Sequence, residues 1–161
     1  MQHINISSTT RGIEGLLSTF TVWEEGFTMF GETFHCLEVL LEGIKVPDPI
    51  VRSRVLGAGN AREAKKLVGR YGTHWRKEQK LFLQDKAVGR NGPEYQQFLN
   101  DAFTALYAMA DFKQALVDSE DYPLLYSKGD WNRTRTVLTA QEFCGRLEHL
   151  RTHGNLDGYA S

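Results

Sequence analysis

The chain has 161 residues, of which 41% are hydrophobic and 24% are charged. A chain of this length and composition can bury the core of one globular domain, so neither a fibrous nor a disordered protein is indicated. The formal net charge of −1 provides no strong attraction to nucleic acid. It therefore argues against non-specific DNA binding but leaves open a modified base or a small nucleotide as the ligand.

Cysteine usage and hydropathy indicate a reducing compartment. Cys36 and Cys144 lie in apolar helical patterns without a CxxC motif, which predicts small core residues rather than a disulfide or a zinc site. The five histidines show no metal-ligand spacing. No stretch approaches 18 consecutive apolar residues, and no charged segment followed by an apolar run opens the chain. We therefore expect a cytoplasmic protein with no membrane segment, no metal and no cofactor.

Strands are predicted in the N-terminal third of the chain. Alternating apolar and polar residues at 3–7 predict a short strand. Residues 16–23 and 27–30 are rich in Thr, Val and aromatic residues. They predict an antiparallel hairpin that turns at residues 24–26. A further turn is expected at Phe30-Gly31.

A helix is predicted over residues 33–46, ending before Pro47. Apolar residues recur in it at steps of three and four. This apolar stripe consists of Phe34, Leu37, Leu41 and Ile44. Glu38, Glu42 and Lys45 recur at the same steps and form a neighbouring stripe at the border between core and solvent, where pKa values can be shifted. Spacing alone favours the simpler interpretation that Glu42 and Lys45 form an ordinary solvated ion pair.

Helices are predicted for most of the remaining chain. Asp48 and Asn60 are N-cap signals, and Thr139 with Glu142 forms a capping box. The helices are predicted over residues 49–56, 61–69, 74–88, 94–110, 112–117 (capped by Asp111) and 140–151, with a short strand at 124–127. The fold class is therefore α+β, a mainly helical single domain of residues 1–152 with a small antiparallel β-sheet. Residues 153–161 are predicted to form a flexible C-terminal tail.

General motifs of catalysis are absent from the sequence, which contains no GxGxxG, P-loop, HExxH or GxSxG. The basic residues at 62–66 and Arg70 predict either a solvated helix face or a phosphate site. Trp131 lies in a polar loop, where tryptophan either packs into the core or stacks on a planar ligand. Its neighbour Asp130 either binds backbone N–H groups in a turn or holds a ribose hydroxyl.

An N-terminal pattern combines Leu17-Ser-Thr-Phe20, Phe30-Gly31, Thr33-Phe34, Glu38 and Lys45. This pattern resembles the opening of the NADAR family (NAD- and ADP-ribose-associated proteins), to which the ybiA-like N-glycosidases belong. Further segments in this resemblance are residues 60–70, Trp75, residues 101–116, Asp130-Trp131 and residues 147–151. The chain departs from the family pattern at four places: Thr19 replaces an Asn, Glu42 replaces a Gln, Asp130 and Trp131 are adjacent rather than spaced, and the glycine-rich Asn-x-Leu-Gly segment before the last helix is largely missing.

The resemblance implies a ybiA-like fold and an N-glycosidase that cleaves a ribose C1–N bond without a cofactor. It implies removal of ADP-ribose from guanine bases, so that the partner is an ADP-ribose-containing substrate such as ADP-ribosylated DNA. A phage or bacterial protein could reverse a host's DNA modification in this way. Family members also act on ribosylaminopyrimidine phosphates of the riboflavin pathway. Two alternatives stay open, a non-catalytic protein that binds ADP-ribose or a nucleotide, and an interaction protein with no nucleotide site.

The resemblance also assigns roles to individual residues. Glu38 is implied to stabilise the sugar or to act as acid or base. Lys45 is implied either to neutralise Glu38 or to attack C1 as an amine. The implied substrate-binding residues are Phe20, Gly31, Phe34, Glu42, Arg70, Asp130 and Trp131.

Overall fold

Eight helices and six short strands are present in the computed structural model, which describes residues 3–160. The helices are α1 (Ile13–Leu16), α2 (Leu37–Gly43), α3 (Pro49–Leu56), α4 (Ala61–Val68), α5 (Tyr71–Glu78), α6 (Pro93–Tyr107), α7 (Ala110–Asp118) and α8 (Ala140–His153). The strands are β1 (Ile4–Asn5), β2 (Phe27–Met29), β3 (Glu32–Phe34), β4 (Lys80–Leu83), β5 (Lys86–Gly89) and β6 (Leu124–Leu125). This architecture confirms the predicted helix-rich α+β class.

The strands form three separate two-stranded sheets. The pairs β2–β3 and β4–β5 are antiparallel hairpins. Strand β1 pairs in parallel with β6, with Ile4 opposite Leu124, and so joins the N-terminal segment to the segment between α7 and α8. Within residues 3–160, no helix combines the length and the apolar character needed to cross a membrane.

The prediction of a strand over residues 16–23 is wrong. This segment follows α1 and turns back on itself, with Thr21 Oγ1 donating a hydrogen bond to the carbonyl oxygen of Gly15 at 2.8 Å. The carbonyl oxygen of Thr19 accepts from the backbone N–H of Glu38 at 2.9 Å. These contacts satisfy backbone groups that a sheet would otherwise pair. The hairpin instead joins β2 to β3 through the predicted turn at Phe30-Gly31.

Helix α2 is shorter than the predicted helix over residues 33–46, because Phe34 belongs to β3 and Lys45 lies in the turn after the helix. The backbone N–H groups of Lys45 and Val46 bond to carbonyl oxygens three residues back, which tightens the chain ahead of Pro47. The predicted apolar stripe is nevertheless buried throughout. Only Glu38 among the residues of α2 is not fully buried. The helix thus forms a central element of the core.

The predicted helix over residues 74–88 is correct only as far as Glu78. Helix α5 ends there, its C-cap residue Gln79 has a left-handed φ of +55°, and the following residues form the β4–β5 hairpin. Leu81 and Val88 face each other across this hairpin and are both buried. The backbone N–H of Phe82 bonds to the carbonyl oxygen of Ile44 at 2.8 Å, which fixes the hairpin against the end of α2.

Two further predictions concern the start of α7 and the residues after α8. Helix α7 begins at Ala110, with Met109 at the N-cap position, so the predicted cap Asp111 lies inside the first turn. After α8 the chain folds back on the domain, where Leu156 is buried and the Tyr159 carbonyl oxygen accepts from Asn100 Nδ2 at 3.1 Å. The division into a domain of residues 1–152 and a flexible tail stays a prediction.

Gly26 and Gly31 both have left-handed backbone angles, φ +76° and +74°, but their surroundings differ. A Cβ at Gly26 would lie 2.9 Å from the carbonyl oxygen of Phe34, whereas Gly31 has no atom within 4 Å of that position. We expect Gly31→Ala to cost about 1–2 kcal/mol of unfolding free energy through backbone strain. Gly26→Ala should cost about 1–3 kcal/mol more through overpacking. Urea denaturation measures both, and equal losses would contradict the packing argument.

Candidate functional site

A cavity of about 280 Å³ lies between the end of α2, helices α4 and α5, and the loop that leads from β6 to α8. Two aromatic residues, Trp75 and Tyr126, form part of its wall. Eight charged residues line it: Glu38, Glu42, Lys45, Lys65, Arg76, Lys128, Asp130 and Arg135. With five cations and three carboxylates, the lining carries a formal charge of +2, although the whole chain carries −1.

Four of these charges form one connected cluster. Lys45 Nζ donates a hydrogen bond to Glu42 Oε1 at 2.8 Å. Lys65 Nζ lies 3.1 Å from both Glu42 Oε1 and Glu38 Oε1, so it joins the two carboxylates. Glu38 Oε2 accepts from Thr19 Oγ1 at 2.8 Å. Both oxygens of Glu38 are therefore held in place, one by a hydroxyl and one by an ammonium group.

The members of this cluster differ in their access to solvent. The side chain of Glu42 is 3% exposed, whereas that of Glu38 is 14% exposed and that of Lys65 is 45% exposed. Burial raises the pKa of Glu42, but Lys45 and Lys65 outweigh this effect and lower it below the usual range. Burial lowers the pKa of Lys65, but Glu38 and Glu42 raise it above its ordinary value. Glu42 and Lys65 are therefore both charged at neutral pH.

The lowered pKa of Glu42 predicts a pH-dependent contribution to stability. The contribution is complete above the unfolded-state pKa, whose ordinary value is 4.5, and is lost as the pH falls through the lower folded-state pKa. We expect Glu42→Gln to cost about 1–3 kcal/mol at neutral pH, because two ammonium groups lose a charged partner. Thermal unfolding of both proteins at neutral pH and at about pH 3 measures this difference, which should shrink in acid. A difference independent of pH would contradict the assignment.

Asp130 lies in the loop from β6 to α8 and is held by its own neighbours. Its Oδ1 accepts from the backbone N–H of Asn132 at 2.8 Å, and Arg135 lies 3.3 Å from Oδ2. The backbone N–H of Asn132, together with Arg135, lowers the pKa of Asp130. The loop therefore presents a fixed carboxylate and a guanidinium to the cavity. Trp131, next in sequence, is 80% exposed and does not line the cavity.

The structure brings together four of the nine predicted site residues. Glu38, Glu42, Lys45 and Asp130 all line the cavity. Phe20 is adjacent, since its ring lies 5.4 Å from Lys65 Nζ. The remaining four, Gly31, Phe34, Arg70 and Trp131, lie elsewhere.

Trp131 lies on the surface beside Asp130, and the other three residues lie in different parts of the fold. Gly31 occupies the tip of the β2–β3 hairpin. Phe34 is buried in the core, with its ring 6.2 Å from that of Phe27. Arg70 precedes α5, with its guanidinium over the Tyr71 ring. Of the two amines near Glu38, Lys65 makes the ion pair with it, while Lys45 pairs with Glu42.

Sequence reasoning missed most of the cations in the cavity wall. Lys65 belongs to the basic cluster at residues 62–66, which the sequence analysis interpreted as either a solvated helix face or a phosphate site. No local pattern shows that α4 packs against α2 and brings this amine between two carboxylates. Tyr126 was also missed; its pKa is raised by burial and by the charge of Glu38. Arg76 makes no ion pair within residues 3–160, which leaves its guanidinium available to a ligand.

The fold and the cavity define a helix-rich α+β protein with a charge-lined pocket. Within residues 3–160, no three His, Cys, Asp or Glu side chains are grouped so as to hold a metal ion. The chain belongs to the family described as bacteriophage protein GP30.3, whose model matches residues 11–152. Neither the curated proteins nor the solved structures contain a match to it.

The family match corrects the resemblance to the NADAR family. That resemblance rested on short segments separated by long unmatched stretches, and two of its positions, Thr19 and Glu42, already departed from the pattern. A buried helix with Glu and Lys at its border arises from helix periodicity alone, so it does not identify a family. The expectation of a ybiA-like fold, which came from the same resemblance, no longer has support.

Proposed function

We propose that this protein is an N-glycosidase that cleaves the bond between a ribose C1 and a nitrogen atom in the Glu38 cavity. The observation that carries this proposal is that the Glu38 carboxylate faces the cavity with both of its oxygens held in place. Its carboxylate lines a pocket wide enough for a small ligand, and Thr19 and Lys65 hold its two oxygens at 2.8 and 3.1 Å. A carboxylate held in this way is already oriented before a substrate binds.

The reaction needs a fixed negative charge beside the sugar. Cleavage of a C1–N bond builds positive charge on the ribose ring and negative charge on the departing base. Glu38 stabilises the ribose cation as the C1–N bond breaks. A water molecule then adds to C1, and the proton that it loses passes to the departing nitrogen, so that the products are the free sugar and the neutral base. Glu42 is too deeply buried to reach the sugar, and it instead positions the amines of Lys45 and Lys65.

The positive lining favours a phosphorylated substrate. Arg76 from α5, and Lys128 and Arg135 from the loop between β6 and α8, also line the cavity, and guanidinium groups bind phosphate oxygens through paired N–H donors. ADP-ribose linked to a guanine base is the substrate that we place first, since it combines a ribose C1–N bond with a diphosphate. Reversal of DNA ADP-ribosylation by a phage protein is the corresponding biological role. Ribosylaminopyrimidine phosphates are the second substrate class.

The test is a sugar-release assay with the full chain. An oligonucleotide that carries ADP-ribosyl guanine and, separately, a ribosylaminopyrimidine phosphate are incubated with the protein, and the released sugar is followed by mass spectrometry. Release from one substrate by the wild type, but not by Glu38→Gln, supports the proposal and selects the substrate class. Equal release by both proteins would remove Glu38 from the mechanism, and no release from either substrate would reject the activity.

A second candidate function is non-catalytic binding of ADP-ribose or a related nucleotide. The observation that favours it is the ion pair between Lys65 and Glu38, because an ammonium at 3.1 Å offsets the charge that catalysis would use. Isothermal titration calorimetry with ADP-ribose distinguishes the two functions. Binding with no sugar release from either substrate supports the binding protein.

A further inference from the structure

A second cavity, of about 240 Å³, adjoins the charged one. The two cavities share Lys45 and Trp75 as lining residues, so they meet at a common wall. Their chemistry differs, because the second lining has four aromatic rings, those of Tyr71, His74, Trp75 and Phe82, whereas the first has two. A charged compartment thus lies directly beside an aromatic one.

The aromatic walls are held by the fold. Helix α5 carries Tyr71, His74 and Trp75 within two turns. Trp75 is 5% exposed, and its Nε1 donates to the carbonyl oxygen of Gly72 at 3.1 Å. The rings of Tyr71 and His74 meet edge to face at 6.4 Å. Phe82 comes from β4, whose backbone is bonded to the end of α2. The aromatic walls of the cavity therefore come from two elements, α5 and β4, while Lys45 and Pro47 line it from the turn after α2.

We propose that this aromatic cavity binds the planar base of a nucleotide whose sugar and phosphate occupy the Glu38 cavity. The inference deepens the proposed function and rests on it. Bases stack on aromatic side chains, because every base has a planar π-face. Glu78, Lys77 and Lys80 line the same cavity and offer both an acceptor and donors to the polar edge of a base. Lys45, on the shared wall, marks the point where base and ribose join.

In this arrangement the two compartments recognise different parts of the same ligand. The charged cavity recognises the phosphorylated sugar, and the aromatic cavity adds affinity only when a base is attached. A ligand that lacks a base is therefore bound by one compartment alone. Concave sites that combine apolar walls with a few placed polar groups are typical of small-molecule binding.

The test compares AMP with ribose 5-phosphate by isothermal titration calorimetry on the full chain. The variant Tyr71→Leu removes the aromatic face while keeping an apolar side chain, and Tyr71→Phe keeps the face as its matched control. Stacking contributes about 1–3 kcal/mol per base, so we expect Tyr71→Leu to weaken AMP binding by about 5- to 150-fold. Tyr71→Phe should bind AMP like the wild type, and neither variant should change the affinity for ribose 5-phosphate.

Two results would overturn the base subsite. One is equal affinity of the wild type for AMP and ribose 5-phosphate, or no binding of AMP at all. The other is an equal loss for both ligands in Tyr71→Leu. If Tyr71→Leu does not fold by circular dichroism, His74→Ala, at an exposed edge of the cavity, replaces it with the same expected selectivity. Sugar release with no preference for AMP would reject the subsite alone, whereas a preference for AMP with no sugar release would reject the N-glycosidase alone.

Discussion

Replacing Glu38 with glutamine is expected to slow sugar release by about 10²- to 10⁴-fold, the range typical for loss of one catalytic group. Glutamine has the shape of glutamate but carries no charge, so it cannot stabilise positive charge on the ribose. The amide oxygen can still accept from Thr19 Oγ1, which preserves the local geometry. The measurement is kcat/KM for the substrate that the wild type cleaves, with the melting temperature recorded for both proteins.

The matched control for this variant is Thr19→Val. Valine removes the hydroxyl that holds Glu38 Oε2 but leaves the carboxylate charge and its contact with Lys65. We expect a loss of about tenfold, corresponding to one hydrogen bond that orients the carboxylate. If Thr19→Val were as slow as Glu38→Gln, the orientation of the Glu38 carboxylate rather than its charge would account for its contribution to the rate. If Glu38→Gln kept the wild-type rate, Glu38 would have no part in the chemistry.

Replacing Arg90 with methionine should lower the free energy of unfolding by about 3–5 kcal/mol. Arg90 and Glu142 both have fully buried side chains, and the guanidinium makes two hydrogen bonds to the carboxylate, at 3.1 and 2.6 Å. A third nitrogen of Arg90 donates to the carbonyl oxygen of Thr136 at 2.8 Å. Burial raises the pKa of Glu142, but Arg90 lowers it below the usual range. Without Arg90 the buried carboxylate loses its principal counter-ion.

Urea denaturation of three proteins tests this expectation. Besides the wild type and Arg90→Met, the double variant Arg90→Met with Glu142→Leu removes both charges. The double variant should recover part of the loss, because the paired charges of Arg90 and Glu142 are removed together, although Arg133 then loses its ion pair with Glu142. Recovery will be incomplete, since Glu142 also accepts from Gln96 Nε2 and from the backbone N–H of Thr139. A loss below about 1 kcal/mol in Arg90→Met would show that the pair contributes little.

The beginnings of α3, α4 and α8 were predictable because their signals are local. Asp48 accepts from the N–H groups of Ile50 and Val51, and Asn60 accepts from Glu63. Thr139 and Glu142 form the predicted capping box. A cap bonds only to backbone two or three residues ahead, so its residue type and spacing are sufficient to place the helix start.

The hairpins were harder to predict, because short apolar runs fit both a helix and a strand. Residues 80–89 continue the apolar pattern of α5, yet the chain leaves the helix at Gln79. The β2–β3 hairpin also turns through a residue other than glycine in a left-handed conformation, Phe30. In both cases the decision came from distant contacts, such as the bond from Phe82 to the Ile44 carbonyl oxygen.

The sequence by itself determined that Glu38, Glu42 and Lys45 share one border of a buried segment, because about 100° of rotation per residue places positions four and seven apart on one side of a helix. Only the tertiary structure decided that Lys65 joins both carboxylates and that the loop with Asp130 closes the cavity. Those contacts join residues far apart in the chain, and they form because α2, α4 and α5 bury their apolar sides together. Packing of the core, rather than any local motif, therefore assembled the charged site.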